Sequence, residues 1–236
     1  MNKRVVALFA LALLTGCSKP PAETGSAGTE TKPVVANAAG LVPLPCGSEG
    51  AIRPAHKIYC ISQRHYVTPA ARAALSDVAL ALAAASPGTQ VGYMEASWPI
   101  GKKPMPPHLS HGDGRQIDLA LFYETPTGAP LSVPPATTLK IGYGAYEPPR
   151  RETERACPGG ARGKEERPDP PNNRQWRLDE ARTRQLVRLL VEDKRVRRVF
   201  IEPHLKTRLG FGSNAKVRFA GCRAARHDDH LHVDFY

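Results

Sequence analysis

Apolar residues recur at helical spacing in two segments of the chain. Residues 70–86 are rich in alanine and leucine, and Thr68 and Pro69 before them are typical of an N-cap and a first helical position. Residues 180–195 place their leucines on one face at a period of 3.6, and Asp179 stands where it can cap that segment. Both segments are therefore predicted to be helices that bury one side.

Shorter apolar stretches, separated by residues that break regular structure, predict the strands. They cover residues 89–97, 115–123, 196–203, 216–221 and 231–236, with a short helix predicted at 204–212. Residues 99–114 hold four prolines and three glycines and are predicted to be a loop. The pattern predicts an α+β fold, in which a small antiparallel sheet is flanked by helices within one domain.

The N-terminal residues are typical of an export signal. Lys3 and Arg4 precede an apolar run over residues 5–14, which leads into Leu-Thr-Gly-Cys at Cys17. This ending resembles a bacterial lipobox, in which the cysteine becomes the lipidated first residue of the mature protein. The resemblance implies a lipid anchor on Cys17, and Ser18 after it favours the outer membrane and a protein that faces the periplasm.

Composition divides the chain into three predicted parts. Residues 1–17 are the signal peptide, and residues 18–40, rich in Pro, Gly, Ala, Thr and Ser, are predicted to be a flexible tether. Residues 41–236 suffice for one domain with a buried core. Within that domain, residues 147–175 are charged and rich in helix breakers, which predicts a long surface loop.

Charge and cysteine content narrow the expected partners and the compartment. The formal net charge of +11 favours anionic cell-wall polymers or acidic lipid headgroups. Nucleic acid is not expected, because the basic residues lack interleaved aromatics. Four cysteines remain after Cys17, and in an exported protein they predict two disulfides. Of the three possible pairings, we predict Cys46–Cys60 together with Cys157–Cys222.

Two clusters of histidine and aspartate carry the candidate chemistry. They comprise His108, His111 and Asp118 in the first cluster and His227, His230 and His232 in the second. On a predicted strand, His230 and His232 point to the same face, while the apolar residues between and after them point into the core. Imidazole nitrogen and carboxylate oxygen are ligands that zinc takes in tetrahedral sites.

The loop before Asp118 can bring a second ligand to the same ion. His111 lies in this loop, and Gly112 and Gly114 allow the backbone to bend back so that both side chains reach one metal. Two alternatives stay open from the residues themselves. The clusters could hold a metal that takes no part in catalysis, or they could be polar residues without a metal.

Both clusters also resemble the motifs of a known family. The pattern S-H-x-x-G-x-x-x-D, with Ser110, His111, Gly114 and Asp118, together with a late His-x-His, resembles the zinc peptidases of the lysostaphin/D-Ala-D-Ala-peptidase group. The histidine three positions before His111, the late H-x-x-H-x-H and the segment FIEPHLKTRL are similar to the penicillin-insensitive murein endopeptidases. The resemblance covers residues 99–123 and 196–235.

The resemblance implies a role for each of these residues. It assigns Zn²⁺ to His111, Asp118 and His232, and catalytic positions beside the ion to His230 and His227. His108 is expected to support the site or contact the substrate. From its place beside the ligand loop, Arg115 is a candidate to bind a substrate carboxylate. An imidazole next to the metal can shuttle protons near neutral pH.

The expected function is that of a zinc-dependent peptidoglycan hydrolase. By the resemblance, it is an endopeptidase that cleaves D-Ala–diaminopimelate crosslinks in murein. The alternatives are another cell-wall amidase, a D,D-carboxypeptidase, or a peptidoglycan-binding lipoprotein without activity. Residues 147–175 have no counterpart in the resemblance, and a loop there could line the cleft and change the substrate.

Overall fold

The computed structural model describes residues 34–106, 108–131, 141–157 and 175–236. The predicted signal peptide with Cys17, residues 18–33 of the predicted tether and residues 158–174 of the predicted loop lie outside the described residues. Val34–Tyr236 group as one compact unit. Its mixture of helices with a multi-stranded sheet is consistent with a single α+β domain. Within the described ranges, no helix is long and apolar enough to cross a membrane.

The described residues form helices and strands in an irregular order along the chain. The helices are α1 (Ile58–Ile61), α2 (Pro69–Ala85), α3 (Glu180–Glu192) and α4 (Pro203–Arg208), with a 3₁₀ turn at Glu152–Glu154. The strands are β1 (Val42–Pro43), β2 (Ile52–Pro54), β3 (Tyr66–Val67), β4 (Val91–Tyr93), β5 (Gln116–Ala120), β6 (Tyr123–Glu124), β7 (Arg177–Leu178), β8 (Val196–Phe200), β9 (Val217–Arg218) and β10 (His230–Phe235).

Helices α2 and α3 form where the hydrophobic pattern predicts them, and they pack against each other. Both predicted N-caps are confirmed. The Thr68 hydroxyl accepts from the Ala71 amide at 3.2 Å, and the Asp179 carboxylate accepts from the Arg182 amide at 2.9 Å. Each cap satisfies an amide that has no partner within the helix, which contributes about 1 kcal/mol.

The main sheet has six strands in the order β2-β4-β5-β10-β8-β9. The prediction of a small antiparallel sheet is therefore wrong in part. The four central strands are antiparallel, but both edge pairs, β2 with β4 and β8 with β9, are parallel. Edge strand β2 escaped prediction because its three residues are too few to show an alternating pattern.

Two disulfides join the four cysteines that the structure describes, as predicted. Cys46 is bonded to Cys60, and Cys157 is bonded to Cys222. The first links the chain after β1 to α1, and the second links the 147–175 segment to the chain between β9 and β10. Structural disulfides of this kind are typical of proteins that fold in an oxidising compartment.

Candidate metal centre

Strands β5 and β10 bring the two clusters together at the middle of the sheet. They pair so that His232 lies opposite Asp118 and His230 lies opposite Ala120. Directly paired residues share a face, so Asp118 and His232 project to the same side. Leu231 and Val233, which flank His232 along β10, point to the other side of the sheet and are fully buried in the hydrophobic core.

The loop before β5 carries His111 back over the sheet. Its turn depends on glycine, because Gly112 and Gly114 have φ values of 129° and 75°. A Cβ atom on Gly112 would lie 2.3 Å from the Lys102 carbonyl oxygen. The turn places His111 Nδ1 2.9 Å from the Ala96 carbonyl oxygen. His111 therefore donates through Nδ1 and directs Nε2 toward Asp118.

Three ligand atoms meet at distances that suit one small ion. Asp118 Oδ1 lies 2.9 Å from His232 Nδ1 and 3.3 Å from His111 Nε2, and the two nitrogens are 3.1 Å apart. Zinc bonds of about 2.0–2.1 Å in a tetrahedron separate neighbouring ligand atoms by about 3.3 Å. All three side chains are buried. The site therefore has buried groups that could hold a metal ion.

In each of the two candidate ligand histidines, His111 and His232, the second ring nitrogen also contacts an oxygen atom outside the triangle of ligand atoms. His232 Nε2 lies 3.2 Å from Asp234 Oδ1, and Asp234 is fixed in turn by Arg198 at 2.7 Å. His111 uses the Ala96 carbonyl in the same way. Such outer hydrogen bonds set the tautomer and ring orientation of histidines that bind metals.

His230 lies beside the three candidate ligands, His111, Asp118 and His232. Its Nε2 lies 3.8 Å from Asp118 Oδ1, and its Nδ1 lies 2.5 Å from Asp229 Oδ1. Asp229 is completely buried and also accepts from the Gly144 amide at 2.5 Å. The structure thus brings this predicted catalytic residue next to the predicted ligands and orients its ring.

His227 lies behind His230. Their ring centroids are 4.9 Å apart, and the His227 ring is 5.7 Å from that of His232. Burial lowers the pKa of His227 to about 2, so the ring is neutral. Its Nδ1 atom is buried without a hydrogen-bond partner among the described residues, while its backbone amide donates to Glu202 Oε1 at 3.1 Å.

His108 approaches Asp118 from the loop side. Its Nδ1 lies 3.8 Å from Asp118 Oδ2, and its ring is half-buried. His108, His111 and Asp118 form a second set of ligand atoms, all within 4.8 Å of one another. Burial lowers the pKa of His108 to about 4, which leaves the ring neutral and able to donate a lone pair.

The remaining predicted site residue, Arg115, does not join the cluster. It immediately precedes β5 and its side chain is exposed, whereas the cluster is buried. Its backbone amide donates to Asp113 Oδ1 at 3.0 Å, which shapes the turn between His111 and β5. The role of Arg115 in binding a substrate carboxylate stays a prediction.

Among the residues that contact the cluster, the sequence analysis missed Tyr143, Asp229 and Asp234. The Tyr143 hydroxyl donates to Asp118 Oδ2 at 2.5 Å. Its ring meets the edge of His230 with centroids 5.0 Å apart. The flanking glycines at 142 and 144 are a signal that a tight turn presents this side chain, but nothing in the pattern links it to Asp118.

The electrostatics of the cluster centre on the buried carboxylate of Asp118. Burial favours a raised pKa for this group, yet His111 and His230 outweigh burial and hold the pKa well below its usual range. Burial lowers the pKa of His232, but hydrogen bonds to Asp118 and Asp234 raise it to about 9 overall. In a metal-free protein, protons therefore occupy the position that a metal would take.

The fold and the site together define a class: an α+β protein with a buried His/Asp cluster that could hold a metal ion. No protein-family model matches the chain, and no curated protein matches it. The family resemblance therefore rests on the two motifs themselves.

Proposed function

We propose that the protein is a zinc-dependent peptidoglycan hydrolase, an endopeptidase that cleaves D-Ala–diaminopimelate crosslinks. The observation that carries this proposal is the triangle of His111 Nε2, Asp118 Oδ1 and His232 Nδ1, with sides of 2.9–3.3 Å. A set of two imidazoles and one carboxylate leaves a fourth position open, which is typical of catalytic zinc sites.

His232 is the better third ligand than His108. Its Nδ1 is within 3.1 Å of both other ligand atoms, whereas His108 Nδ1 is 3.8 Å from the far oxygen of Asp118. His111, Asp118 and His232 would hold a zinc ion, whose chemistry would be to lower the pKa of a bound water toward about 7 and to polarise the scissile carbonyl. His108 then lies beside the ion, where it can contact the substrate.

His230 supplies the proton and hydrogen bond that amide cleavage needs. Asp229 accepts from Nδ1, which stabilises the charged ring and leaves Nε2–H directed at the space beside Asp118. A donor in that position stabilises the negative charge that develops on the carbonyl oxygen. It can then pass a proton to the leaving amine. His227, neutral and packed against His230, limits the orientations of that ring.

Several independent features support a cell-wall substrate. The two motifs resemble murein endopeptidases, and the N-terminal segment resembles a lipoprotein signal that ends at Cys17. Two disulfides fit an oxidising compartment. The net charge of +11 suits an anionic polymer. We therefore infer a periplasmic protein, lipid-anchored to the outer membrane, that acts on peptidoglycan peptides.

The experiment that tests this proposal measures the products released from purified sacculi. The purified protein is incubated with sacculi with and without a chelator, and the muropeptides are identified by mass spectrometry. Conversion of crosslinked dimers to monomers, abolished by the chelator and restored by zinc, is the expected result. Release of terminal D-Ala alone indicates a carboxypeptidase, and release of whole stem peptides indicates an amidase.

A variant at His230 separates catalysis from binding. His230→Ala is expected to retain zinc but to lose cleavage by about 10²–10⁴-fold, because it removes a positioned proton donor. His56→Ala is the matched control, since His56 is exposed and outside the cluster. A zinc-loaded wild-type protein that cleaves nothing would contradict the enzyme and favour a binding role.

A further inference from the structure

The segment from Ile141 to Glu147 is fixed to the domain along its length. The Tyr59 hydroxyl donates to the Ile141 carbonyl at 2.5 Å, and the Tyr123 hydroxyl donates to the Ala145 carbonyl at 2.5 Å. The Glu147 amide donates to the Asp228 carbonyl at 2.8 Å. Two buried tyrosines and the chain before β10 therefore hold this segment through hydrogen bonds at its start, its middle and its end.

The backbone in the middle of this segment fixes the position of the Tyr143 side chain. Gly142 and Gly144 flank Tyr143 with φ values of 103° and 94°, which L-residues rarely adopt. A Cβ atom on Gly142 would lie 2.6 Å from Met94 Sδ. The Gly144 amide donates to Asp229 Oδ2 at 2.5 Å. Two glycines are therefore required to place the tyrosine against Asp118 and His230.

Because Tyr143 reaches Asp118, the two carboxylate oxygens of Asp118 have different partners. Oδ2 accepts the Tyr143 hydroxyl at 2.5 Å, and Oδ1 faces His232 and His111 at 2.9 and 3.3 Å. A carboxylate whose second oxygen is engaged in this way binds a metal through one oxygen. The same segment orients His230, because Asp229 accepts from both Gly144 and His230.

We propose that Tyr143 is a positioning residue of the metal centre. Its hydroxyl holds Asp118 Oδ2, which presents Oδ1 alone to the metal and preserves an open fourth position. This inference rests on the proposed metal site but not on the proposed substrate. It predicts that removal of one oxygen atom weakens metal binding while the fold remains intact.

The test compares Tyr143→Phe with Tyr66→Phe in the full chain. Both changes remove one hydroxyl from a half-buried ring, and the phenylalanine keeps the ring contact with His230. Zinc affinity is measured by competition with a chromophoric chelator. Loss of an outer hydrogen bond to a ligand costs about 10–100-fold in metal affinity. We expect that loss in Tyr143→Phe and no change in Tyr66→Phe.

A spectroscopic measurement separates positioning from a general structural role. Tetrahedral cobalt(II) absorbs visible light more strongly than five-coordinate cobalt(II). In cobalt-loaded Tyr143→Phe, Asp118 is free to bind through both oxygens, so we expect weaker absorption than in the wild type. The melting temperature of the metal-free variant is expected to stay within a few degrees of the wild type.

Each outcome bears on the proposal. Unchanged zinc affinity overturns it, and so does a metal-free Tyr143→Phe that fails to fold, because the hydroxyl would then serve the core. A wild-type protein that binds zinc but leaves peptidoglycan intact defeats the proposed function alone, and the affinity comparison still decides the role of Tyr143. A wild-type protein that binds no metal overturns both.

Discussion

Two halves of the candidate metal centre are held by different means. The strand-borne half comprises Asp118, His230 and His232. The loop-borne half comprises His108, His111 and Tyr143. The ladder between β5 and β10 fixes the first half, with five consecutive residue pairs from His230↔Ala120 to Asp234↔Gln116. Glycines at positive φ and single hydrogen bonds to backbone or carboxylate oxygens fix the second half.

The difference shows where the site is robust and where it is fragile. A strand can leave its register only by a slip that turns every side chain to the other face, which would expose the core residues of β10. A loop needs only one altered backbone angle to withdraw its ligand. We therefore expect substitutions in the loop-borne half to act through geometry, and those in the strand-borne half to act through the lost ligand itself.

The largest expected effect comes from exchanging a candidate ligand in each half. His232→Ala removes a strand-borne ligand and is expected to abolish stoichiometric zinc. His108→Ala removes a loop-borne neighbour that lies 3.8 Å from Asp118 and is expected to retain the ion. Zinc content after dialysis, measured by atomic emission, distinguishes the two. Retention in His232→Ala with loss in His108→Ala would mean that the ion uses the other ligand set.

A substitution at a glycine of the loop should reduce zinc binding less than the loss of a ligand does, although it acts on the same site. Gly112→Ala adds a Cβ atom 2.3 Å from the Lys102 carbonyl oxygen at a φ of 129°. We expect a loss of about 2–3 kcal/mol in the free energy of unfolding, together with weaker zinc binding through His111. Chemical denaturation and zinc titration measure the two effects.

Gly88→Ala provides the matched control for that experiment. Gly88 also has a positive φ, 81°, but no atom lies within 4 Å of the added Cβ. Strain alone then costs about 1 kcal/mol. Zinc affinity should not change in this variant. Equal losses in both glycine variants would show that the close approach to Lys102 has no special role.

In the metal-free protein, the pKa values of one histidine in each half are shifted in opposite directions. Burial lowers the pKa of His108 to about 4, whereas Asp118 and Asp234 overcome burial and raise the pKa of His232 to about 9. At pH 7 zinc must therefore displace at least one proton, and affinity should rise about tenfold per pH unit for each proton released. Calorimetry in buffers of different ionisation enthalpy counts these protons. Binding without proton release would contradict the assignment of His232.

The smallest effect is expected outside both halves. Arg115→Ala changes an exposed side chain, whereas the ligand atoms of the cluster are buried. We expect less than about 0.5 kcal/mol in stability and no change in zinc affinity or in cleavage. A marked loss of cleavage at unchanged zinc content would restore the role in substrate binding that its position in the sequence indicates.

The sequence was most informative where local periodicity decides the outcome. Helix caps at Thr68 and Asp179 and the shared face of His230 and His232 follow from rules that act within a few residues. The disulfide pairing was one of three possibilities, and the structure confirms it. The late histidines and the loop before Asp118 identified most of the cluster.

The missed features depend on contacts between distant segments. The hydroxyl of Tyr143 meets Asp118 across 25 positions of sequence. The parallel pairing of β2 with β4 joins residues such as Ile52 and Val91, and neither strand exceeds three residues. Such contacts depend on how the whole core packs. They therefore cannot be predicted from the spacing of apolar residues or from the residues that favour turns.

Locating a zinc ion in crystals of the protein is the most direct test of the proposed metal centre. Anomalous diffraction data collected on both sides of the zinc absorption edge identify the metal and its position. We predict one peak about 2.0–2.2 Å from His111 Nε2, Asp118 Oδ1 and His232 Nδ1, with Tyr143 still bonded to Asp118 Oδ2. A peak bound by His108 in place of His232, or no peak at full zinc loading, would contradict the proposed centre.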